Sequence, residues 1–345
     1  MDASGAGSSG RRPGREREGS APFDFQLDTR QGDQDGAEAP AGEVPSFMRG
    51  AEGGREEPAG TDGPRTPDAP RRSPPVRRTG ADGPETFARI AWALPWIAFA
   101  ITVIVLGGAV FAAAMLALAA ISLIELFRIT RAGGFQTVAI AVAAGMIIAA
   151  HSGNHFHIVL AGAAAFPLIF LAAAIRPSTR GATAAMATTV FGIAWIGVPV
   201  AHAVLLRELP EHGAALLVDV LVATFVADTA AYAVGRMFGR HPLVLHISPN
   251  KTVEGLLGGL VGGTMGFWFA GLYQDWLPGI DALLMGLCVA ALAPIGDLFE
   301  SMVKRDLEVK DSGTVVGPHG GMLDRLDAVL FTVVAGYYLA VAFVY

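Results

Sequence analysis

The longest run without a charged side chain constrains this chain most: it extends over 35 residues, from Ile90 to Ile124. One helix that crosses a bilayer needs only about 20 apolar residues, and Gly107 and Gly108 lie near the middle of the run. The run therefore predicts two helices joined by a tight turn. Further apolar stretches follow at about 135–151, 156–175, 183–206, 214–235, 253–273, 280–300 and 326–345. These stretches predict an all-α polytopic membrane protein with about nine transmembrane helices.

Residues 1–85 have a very different composition. They hold 12 of the 25 Lys and Arg residues, 16 of the 31 Asp and Glu residues and 11 of the 21 prolines, but a single leucine, Leu27. Such a segment cannot bury enough apolar surface to offset the entropy lost on ordering. We therefore expect a disordered polar tail over residues 1–85 and a membrane-embedded domain over residues 86–345. The net charge of −6 gives no basic footprint for nucleic acid, and one cysteine excludes an intrachain disulfide framework.

The positive charges indicate an orientation, because Lys and Arg in short loops favour the cytoplasmic side of a membrane. With nine spans, twelve Lys and Arg residues of the membrane domain fall on the side of the tail, and Arg207 alone falls opposite. We expect a multi-pass protein of the cell (inner) membrane with a cytoplasmic N-terminus. The last two inner loops contain all three lysines, Lys251, Lys304 and Lys310; a chance grouping and an active site at the cytoplasmic side of the C-terminal third are equally compatible with this composition.

One face of the eighth predicted span is polar. Asp297, Ser301 and Lys304 lie within about 60° of one another at 100° per residue on a helix. An ordinary helix end would explain Lys304 and Arg305, since cations suit the helix C-terminus. It does not explain Asp297, because a carboxylate one to two turns deeper is costly unless it is paired or binds a metal.

A glycine-rich segment precedes the last span. Gly320 and Gly321 come just before a helix start, where free backbone amides and the helix dipole favour an anion. Asp324 and Asp327 follow in the first turn and would repel a phosphate unless a divalent cation lay between them. Together with Asp297, they predict a polyphosphate site bridged by Mg²⁺, and the pattern leaves open a second cation.

The loop after the sixth span supplies a third part. Ser248 followed by Pro249 is typical of a helix N-cap and the first helical residue. This arrangement would direct backbone amides and Lys251 at the same site. Asp228 lies within the span, and we expect a partner such as Arg236; a structural ion pair and a catalytic role are equally compatible with the pattern.

The order of these motifs resembles that of a known family. The segment from Ser301 to Asp327 is similar to the signature of phosphatidate cytidylyltransferases, also called CDP-diacylglycerol synthases. Segments 228–239 and 248–255 resemble the other motifs of that family in the same order, and the resemblance covers about residues 86–345. Val316 stands where Leu, Ile or Phe is usual, and Asn250 stands where a lysine is common. The pattern reads Ser301-x-Val303-Lys304-Arg305-x4-Lys310-Asp311-x-Gly313-x2-Val316-Gly317-x-His319-Gly320-Gly321-Met322-x-Asp324-Arg325-Leu326-Asp327.

The resemblance implies transfer of CMP from CTP to phosphatidic acid within a lipid bilayer, with CDP-diacylglycerol and pyrophosphate as products. It implies that Asp297 and Asp324 hold the metal and that nearby basic and hydroxyl residues bind the nucleotide. No enzyme nucleophile is expected, since the lipid phosphate can displace pyrophosphate directly. The expected catalytic residues are Asp297, Lys304, Arg305, Lys310, Asp324 and Arg325, and the expected metal ligands are Asp297, Asp324 and Asp327. The expected substrate-binding residues are Ser248, Lys251, Thr252, Ser301, Asp311, His319, Gly320, Gly321, Asp228 and Arg236.

Other functions share parts of this pattern. A CTP-dependent lipid kinase, or a cytidylyltransferase for another lipid phosphate, needs the same charges. An ion-coupled transporter could use the intramembrane carboxylates Asp219, Asp228 and Asp297 as a pathway, although the sequence shows no internal repeat of the kind that transporters contain. Whether two copies form a homodimer is left open by the sequence.

Overall fold

A computed structural model describes residues 95, 97–131, 133–152, 155–313 and 320–345. The predicted tail, its boundary at residue 85 and His319 lie outside the described residues. The described residues fall within one compact unit. Its helices are α1 (Ile97–Leu106), α2 (Gly108–Thr130), α3 (Gln136–His151), α4 (His155–Ala163), α5 (Ala165–Ala174), α6 (Ala182–Gly192), α7 (Val198–Arg207), α8 (Gly213–Phe238), α9 (Val253–Gly271), α10 (Gly279–Asp306) and α11 (Leu323–Phe343).

Seven apolar helical segments within the described part of the chain are long enough to cross a membrane. One of them, Phe156–Ala174, comprises α4 and α5; another, Ala182–Arg207, comprises α6, a π-helical turn (Ile193–Gly197) and α7. The shorter apolar helices α1 and α3 complete a set of nine. Each of the nine corresponds in position to a predicted span. The prediction of an all-α, multi-pass membrane protein is therefore confirmed.

The predicted break in the first apolar run falls at Gly107. This residue has a φ of 59°, in the left-handed region that glycine adopts without steric cost. The Arg207 side chain of α7 covers the end of α1, and its Nε donates to the carbonyl oxygen of Ile104 at 2.7 Å. A Cβ atom at Gly107 would overlap this guanidinium. Arg207, the one basic residue predicted on the outer side, thus satisfies carbonyl groups at a helix C-terminus.

Glycines bring α8 and α9 close together. Gly255, Gly259 and Gly263 are buried on one face of α9, at intervals of four residues. A Cβ atom at Gly259 would lie 3.0 Å from the carbonyl oxygen of Ala227, and one at Gly263 would lie 2.8 Å from the Cβ atom of the same alanine. Small residues at this interval let helix backbones approach in a membrane, where dispersion contacts rather than the hydrophobic effect drive association. The glycine stripe therefore sets the distance between α8 and α9.

A small hairpin connects α8 to α9. Strands β1 (Pro242–Val244) and β2 (Ser248–Thr252) pair antiparallel, with Pro242 opposite Thr252. The prediction that Ser248 caps a helix is wrong, because Ser248 begins β2. Thr252 is the N-cap of α9, and its hydroxyl accepts a hydrogen bond from the Gly255 amide at 3.1 Å. Pairing with β1 holds the chain extended as far as Thr252, and proline is tolerated in an edge strand as readily as at a helix start.

Several helix ends meet at one end of the bundle. The C-terminal parts of α8 and α10 and the N-termini of α9 and α11 line one pocket there. The C-terminal part of α2 joins them through Glu125, which contacts the first residue of α11. This end of the bundle holds most of the residues that the sequence predicts to form the active site.

We predict that Gly263→Ala lowers the thermal unfolding temperature in detergent micelles and that Gly145→Ala does not. A methyl group at Gly263 would lie 2.7 Å from the Cβ atom of Ala290, and such overpacking costs roughly 1–3 kcal/mol. At Gly145 the nearest atom would be 3.7 Å away, and replacing a helical glycine by alanine gains up to about 1 kcal/mol. Equal shifts in both variants would contradict the close approach of α8, α9 and α10.

Candidate active site

A pocket of about 530 Å³ lies at the end of the bundle where these helices meet. The hairpin and helices α8, α9, α10 and α11 all contribute to its walls. Carboxylates and cations both line it, so it combines the two kinds of charge that a metal-assisted phosphate reaction needs. Its charged lining residues are Asp228, Asp297, Asp324 and Asp327, with Arg236, Lys251 and Arg325.

Lys251 and Asp297 form an ion pair within this pocket. The ammonium nitrogen lies 2.5 Å from Oδ2 of Asp297, and the Ser301 hydroxyl donates to Oδ1 of the same carboxylate at 3.3 Å. The Asp297–Ser301 part of the predicted helix face therefore forms. Lys251 is brought to Asp297 by the end of β2, because Thr252, the next residue, caps α9.

Asp324 is held from three directions. Lys304 lies 3.2 Å from its Oδ1 atom, and the Ser312 amide donates to both of its oxygens at 3.0 Å. The Gly321 amide donates to Oδ2 at 2.8 Å. Gly320 makes the turn possible, since its φ is 88° and a Cβ atom there would lie 2.7 Å from Oδ2. The Gly321 amide that we expected to face a phosphate thus binds the carboxylate of Asp324.

The structure separates the other predicted residues into groups. Thr252 and Arg325 line the pocket, whereas Ser301 and Lys304 contact its carboxylates from behind. The Nε atom of Arg305 donates to the carbonyl oxygen of Ile247 at 3.4 Å, which ties α10 to the hairpin. Three other predicted site residues do not line the pocket. They are Ser248, which lies in β2, and the exposed residues Lys310 and Asp311.

The expected ion pair between Asp228 and Arg236 is absent from the described residues. Arg236 donates instead to the hydroxyl of Tyr232, one turn earlier on α8, at 3.0 Å. Asp228 experiences the negative charges of Asp297 and Asp327 and the positive charge of Lys251. Eight positions separate Asp228 from Arg236, which is about 12 Å along the helix, so the sequence spacing placed them too far apart for a direct pair.

Glu300 is a site residue that the sequence analysis missed. Its side chain is buried beneath the pocket, and the Lys304 ammonium lies 3.3 Å from its Oε1 atom without the alignment of a hydrogen bond. Lys304 therefore lies between two carboxylates, those of Glu300 and Asp324. The signal in the sequence was the i, i+4 spacing of Glu300 and Lys304, which places both on one helix face.

Glu125 of α2 was also missed, and it is 1% exposed. Its carboxylate accepts hydrogen bonds from the amides of Met322 and Leu323, at 3.0 and 2.9 Å. The Ser312 hydroxyl donates to it at 3.3 Å. Since the Ser312 amide binds Asp324, Glu125 supports the segment that holds Asp324. Glu125 directly follows the charge-free run that ends at Ile124, so the sequence indicated the end of a span there and not a buried acid.

The carboxylates of the pocket are chemically suited to Mg²⁺. Among the described residues, no group of three or more His, Cys, Asp and Glu side chains is arranged to hold a metal ion by itself. Magnesium commonly takes one or two carboxylates and completes its shell with water and substrate phosphates. Asp327 experiences the negative charge of Asp297, and a bound cation would relieve that repulsion. The donor set therefore fits a metal that a polyphosphate substrate helps to hold.

Asp219 does not belong to this pocket. It is fully buried in α8 and accepts a hydrogen bond from the Gln274 amide group at 2.7 Å. Asp228 is nine residues further along the helix, about 13 Å away along its axis. Asp219 therefore lies apart from Asp228 and Asp297 in the described part of the chain and takes no part in the candidate site.

The fold and the site define a class of protein: a multi-pass helical membrane protein with a charged pocket formed by its C-terminal helices. A sequence profile of the Cytidylyltransferase family matches residues 87–343. The chain belongs to this family, and the family resemblance inferred from the motifs is confirmed.

Three relatives named phosphatidate cytidylyltransferase illustrate the similarity. The protein from Mycobacterium leprae is 41% identical over 150 residues, 43% of this chain and 47% of its own length. That from Bacillus subtilis is 37% identical over 150 residues, 43% of this chain and 56% of its own length. That from Synechocystis sp. is 32% identical over 290 residues, 73% of this chain and 96% of its own length. The chain thus spans about half the length of the first two relatives and nearly all of the third.

We predict that Glu125→Ala lowers the thermal unfolding temperature in micelles, whereas Ser122→Ala on the same helix does not. Removing Glu125 leaves the buried amides of Met322 and Leu323 without an acceptor, at roughly 1–3 kcal/mol for each unsatisfied group. Ser122 is also buried, but its hydroxyl has no hydrogen-bond partner among the described residues. A Glu125→Ala protein as stable as the wild type would show that this carboxylate does not hold the start of α11.

Proposed function

We propose that this chain is a phosphatidate cytidylyltransferase, which joins CTP to phosphatidic acid and forms CDP-diacylglycerol and pyrophosphate. The observation that carries the proposal is the pocket, where carboxylates and cations meet at the end of a membrane-spanning bundle. A water-soluble nucleotide and a lipid phosphate can both reach such a place. The names of the Mycobacterium leprae, Bacillus subtilis and Synechocystis relatives support the same activity.

The reaction brings two anions together, and the cations of the pocket offset their repulsion. A phosphomonoester such as that of phosphatidic acid carries about 1.5 to 2 negative charges at pH 7, and CTP adds three phosphate groups. Arg236, Lys251 and Arg325 line the pocket, and we assign them to binding these phosphates. Fixed charges that are already in place stabilise the charge that develops in the transition state without further reorganisation.

The chemical step is an in-line displacement. A phosphate oxygen of the lipid attacks the α-phosphorus of CTP, the new P–O bond forms, and the bond from the α-phosphorus to the bridging oxygen breaks. The electron pair of that bond leaves with pyrophosphate. No side chain forms a covalent bond with the substrate, and an ionised phosphate oxygen has little need of a general base.

The carboxylates have a separate role in this proposal. Asp297, Asp324 and Asp327 would hold Mg²⁺, which supplies charge neutralisation on the phosphates when it is bound. Lys304 holds Asp324 and is itself paired with Glu300, and Ser301 orients Asp297. Glu125, Ser312 and Gly321 fix the segment that carries Asp324. We assign none of these supporting residues to direct contact with the reacting phosphorus.

We further propose that the pocket faces the cytoplasm from the inner membrane of the cell. Most of the Lys and Arg residues near helix ends belong to the loops on the pocket's side of the predicted topology, and Arg207 is on the other side. That distribution matches the excess of positive charge in cytoplasmic loops. CTP would then reach the pocket from the cytoplasm.

We predict that the purified protein in micelles of detergent and phosphatidic acid, with Mg²⁺ and labelled CTP, forms lipid-linked CMP and pyrophosphate in equal amounts. Asp324→Asn is expected to lower the rate by about a hundredfold or more, because it removes the charge of one of the carboxylates that would hold Mg²⁺. Asp275→Asn, a change at an exposed residue of the loop between α9 and α10, is the matched control and should retain wild-type turnover.

The products also separate this proposal from its alternatives. Release of CDP together with a phosphorylated lipid would identify a lipid kinase, and turnover with a different lipid phosphate would change the substrate. Turnover of CTP added to sealed inverted vesicles, without permeabilisation, is expected from a cytoplasmic pocket. An absence of nucleotide turnover with every lipid phosphate tested would overturn the proposed function.

We predict that Lys251→Met lowers kcat/KM for CTP by at least about thirtyfold, since removing one partner of a close charge pair between a protein and its ligand, here the lysine and a phosphate of CTP, typically costs 2–5 kcal/mol. Arg240→Met removes the same charge from an exposed residue of the loop that follows α8 and is the control. The measurement is steady-state kinetics with CTP varied at saturating lipid. Equal losses in both variants would indicate a general charge effect instead of a contact between Lys251 and the nucleotide.

A further inference from the structure

An apolar cavity of about 220 Å³ adjoins the active-site pocket. Phe225 and Arg325 line both spaces, so the polar pocket and the apolar cavity meet at these two side chains. Apart from Arg325, every side chain that lines the cavity is apolar. A ligand that occupies both spaces would need a charged end and a hydrocarbon end.

The cavity runs along one face of α11. Arg325, Val329 and Val333 line it at intervals of four residues, which places them on one stripe of the helix. The distance from Arg325 to Val333 along the helix axis is about 12 Å at 1.5 Å per residue. The cavity therefore begins beside the charged pocket and extends toward the middle of the membrane-spanning segment.

Other helices form the remaining walls with similar stripes. On α2, Phe111, Ala114 and Leu118 face the cavity, and on α8, Leu217 and Phe225 do so. Phe111 and Leu217 are buried and lie away from Arg325 along the chain direction of their helices, whereas Phe225 lies at the junction with the pocket. Phe225 therefore marks the end of the cavity that adjoins the pocket, and Phe111 and Leu217 mark the other end.

We propose that this cavity holds one acyl chain of the lipid phosphate substrate, while Arg325 binds the phosphate end at the junction. The inference rests on the proposed function and adds to it a site for the hydrocarbon part of the substrate. A bilayer lipid with a neutral headgroup would gain little from the guanidinium group, whereas a lipid phosphate gains a charge-assisted hydrogen bond. Burial of methylene groups between α1, α2, α8 and α11 then contributes to substrate affinity.

Ala114→Phe tests this site, because it fills the cavity from the wall formed by α2. Ala113→Phe is the matched control, since Ala113 is the preceding residue and is exposed. Both variants are assayed with dioleoyl and with dihexanoyl phosphatidic acid in mixed micelles. Each methylene that loses its buried site lowers affinity about fourfold, so a loss of two or three should lower kcat/KM for the long-chain substrate by roughly tenfold or more.

The two substrates separate a lost chain site from a misfolded protein. Ala114→Phe is expected to retain wild-type turnover of the short-chain substrate and the wild-type KM for CTP. Ala113→Phe should leave both substrates unaffected. An equal fall with both chain lengths, or an equal effect of the two variants, would overturn the proposal.

A labelling experiment with the wild-type protein decides the question without relying on turnover. Phosphatidic acid with a diazirine near the end of one acyl chain is irradiated with the protein, and labelled peptides are identified by mass spectrometry. We expect labelling around Phe111 and Val333, which line the part of the cavity away from Arg325. Labelling elsewhere, or equal labelling of these segments by phosphatidylcholine carrying the same diazirine, would overturn the chain site. Failure of the cytidylyl transfer assay would instead overturn the proposed function. Labelling of the cavity would then still show that it binds the acyl chain of a lipid phosphate.

Discussion

The structure depends on the neutralisation of carboxylates inside a membrane-spanning bundle. A charge in such a place is tolerated when partners satisfy it, and Asp324 shows how this is done. Lys304 of α10 and the amides of Ser312 and Gly321 converge on its side chain. Glu125 of α2 binds the other side of the same segment. The interactions that make the carboxylates tolerable therefore also tie α2, α10 and α11 together.

The opposite wall of the pocket depends on close packing instead of charge. The glycine stripe of α9 lets this helix lie against the backbone of α8, and the hairpin between them ends at Thr252, whose hydroxyl caps α9. Lys251 immediately precedes that cap and reaches Asp297 on α10. A side chain of any size at Gly259 or Gly263 would separate the helices, so the position of Lys251 depends on the absence of Cβ atoms at these two positions of α9.

The sequence predicted the helical membrane architecture because length and hydropathy are local properties: the nine predicted spans correspond to nine apolar helical segments in the described part of the chain. It also placed Asp297 with Ser301, and Asp324 beside the glycine-rich turn, because those relations lie within a few residues. The sequence did not predict the contacts between segments that are distant along the chain. Glu125 is 197 residues from Met322, and Lys251 was not expected to pair with Asp297. The N-cap was predicted at Ser248, since nothing local shows that β1 would hold the chain extended as far as Thr252.

The arrangement of the two cavities bears on how a membrane enzyme can join a soluble nucleotide to a lipid. In-line displacement requires the attacking oxygen, the α-phosphorus and the leaving group to be aligned, and much of the barrier is removed when both reactants are held in position. The polar pocket and the apolar cavity meet at Arg325 and Phe225. In the proposed reaction, burial of a hydrocarbon chain beside α11 fixes the depth of the lipid in the membrane. Its phosphate then lies at the depth in the membrane at which Arg325 and the charged pocket can bind it. The hydrophobic interaction therefore orients the lipid phosphate as well as contributing to its affinity.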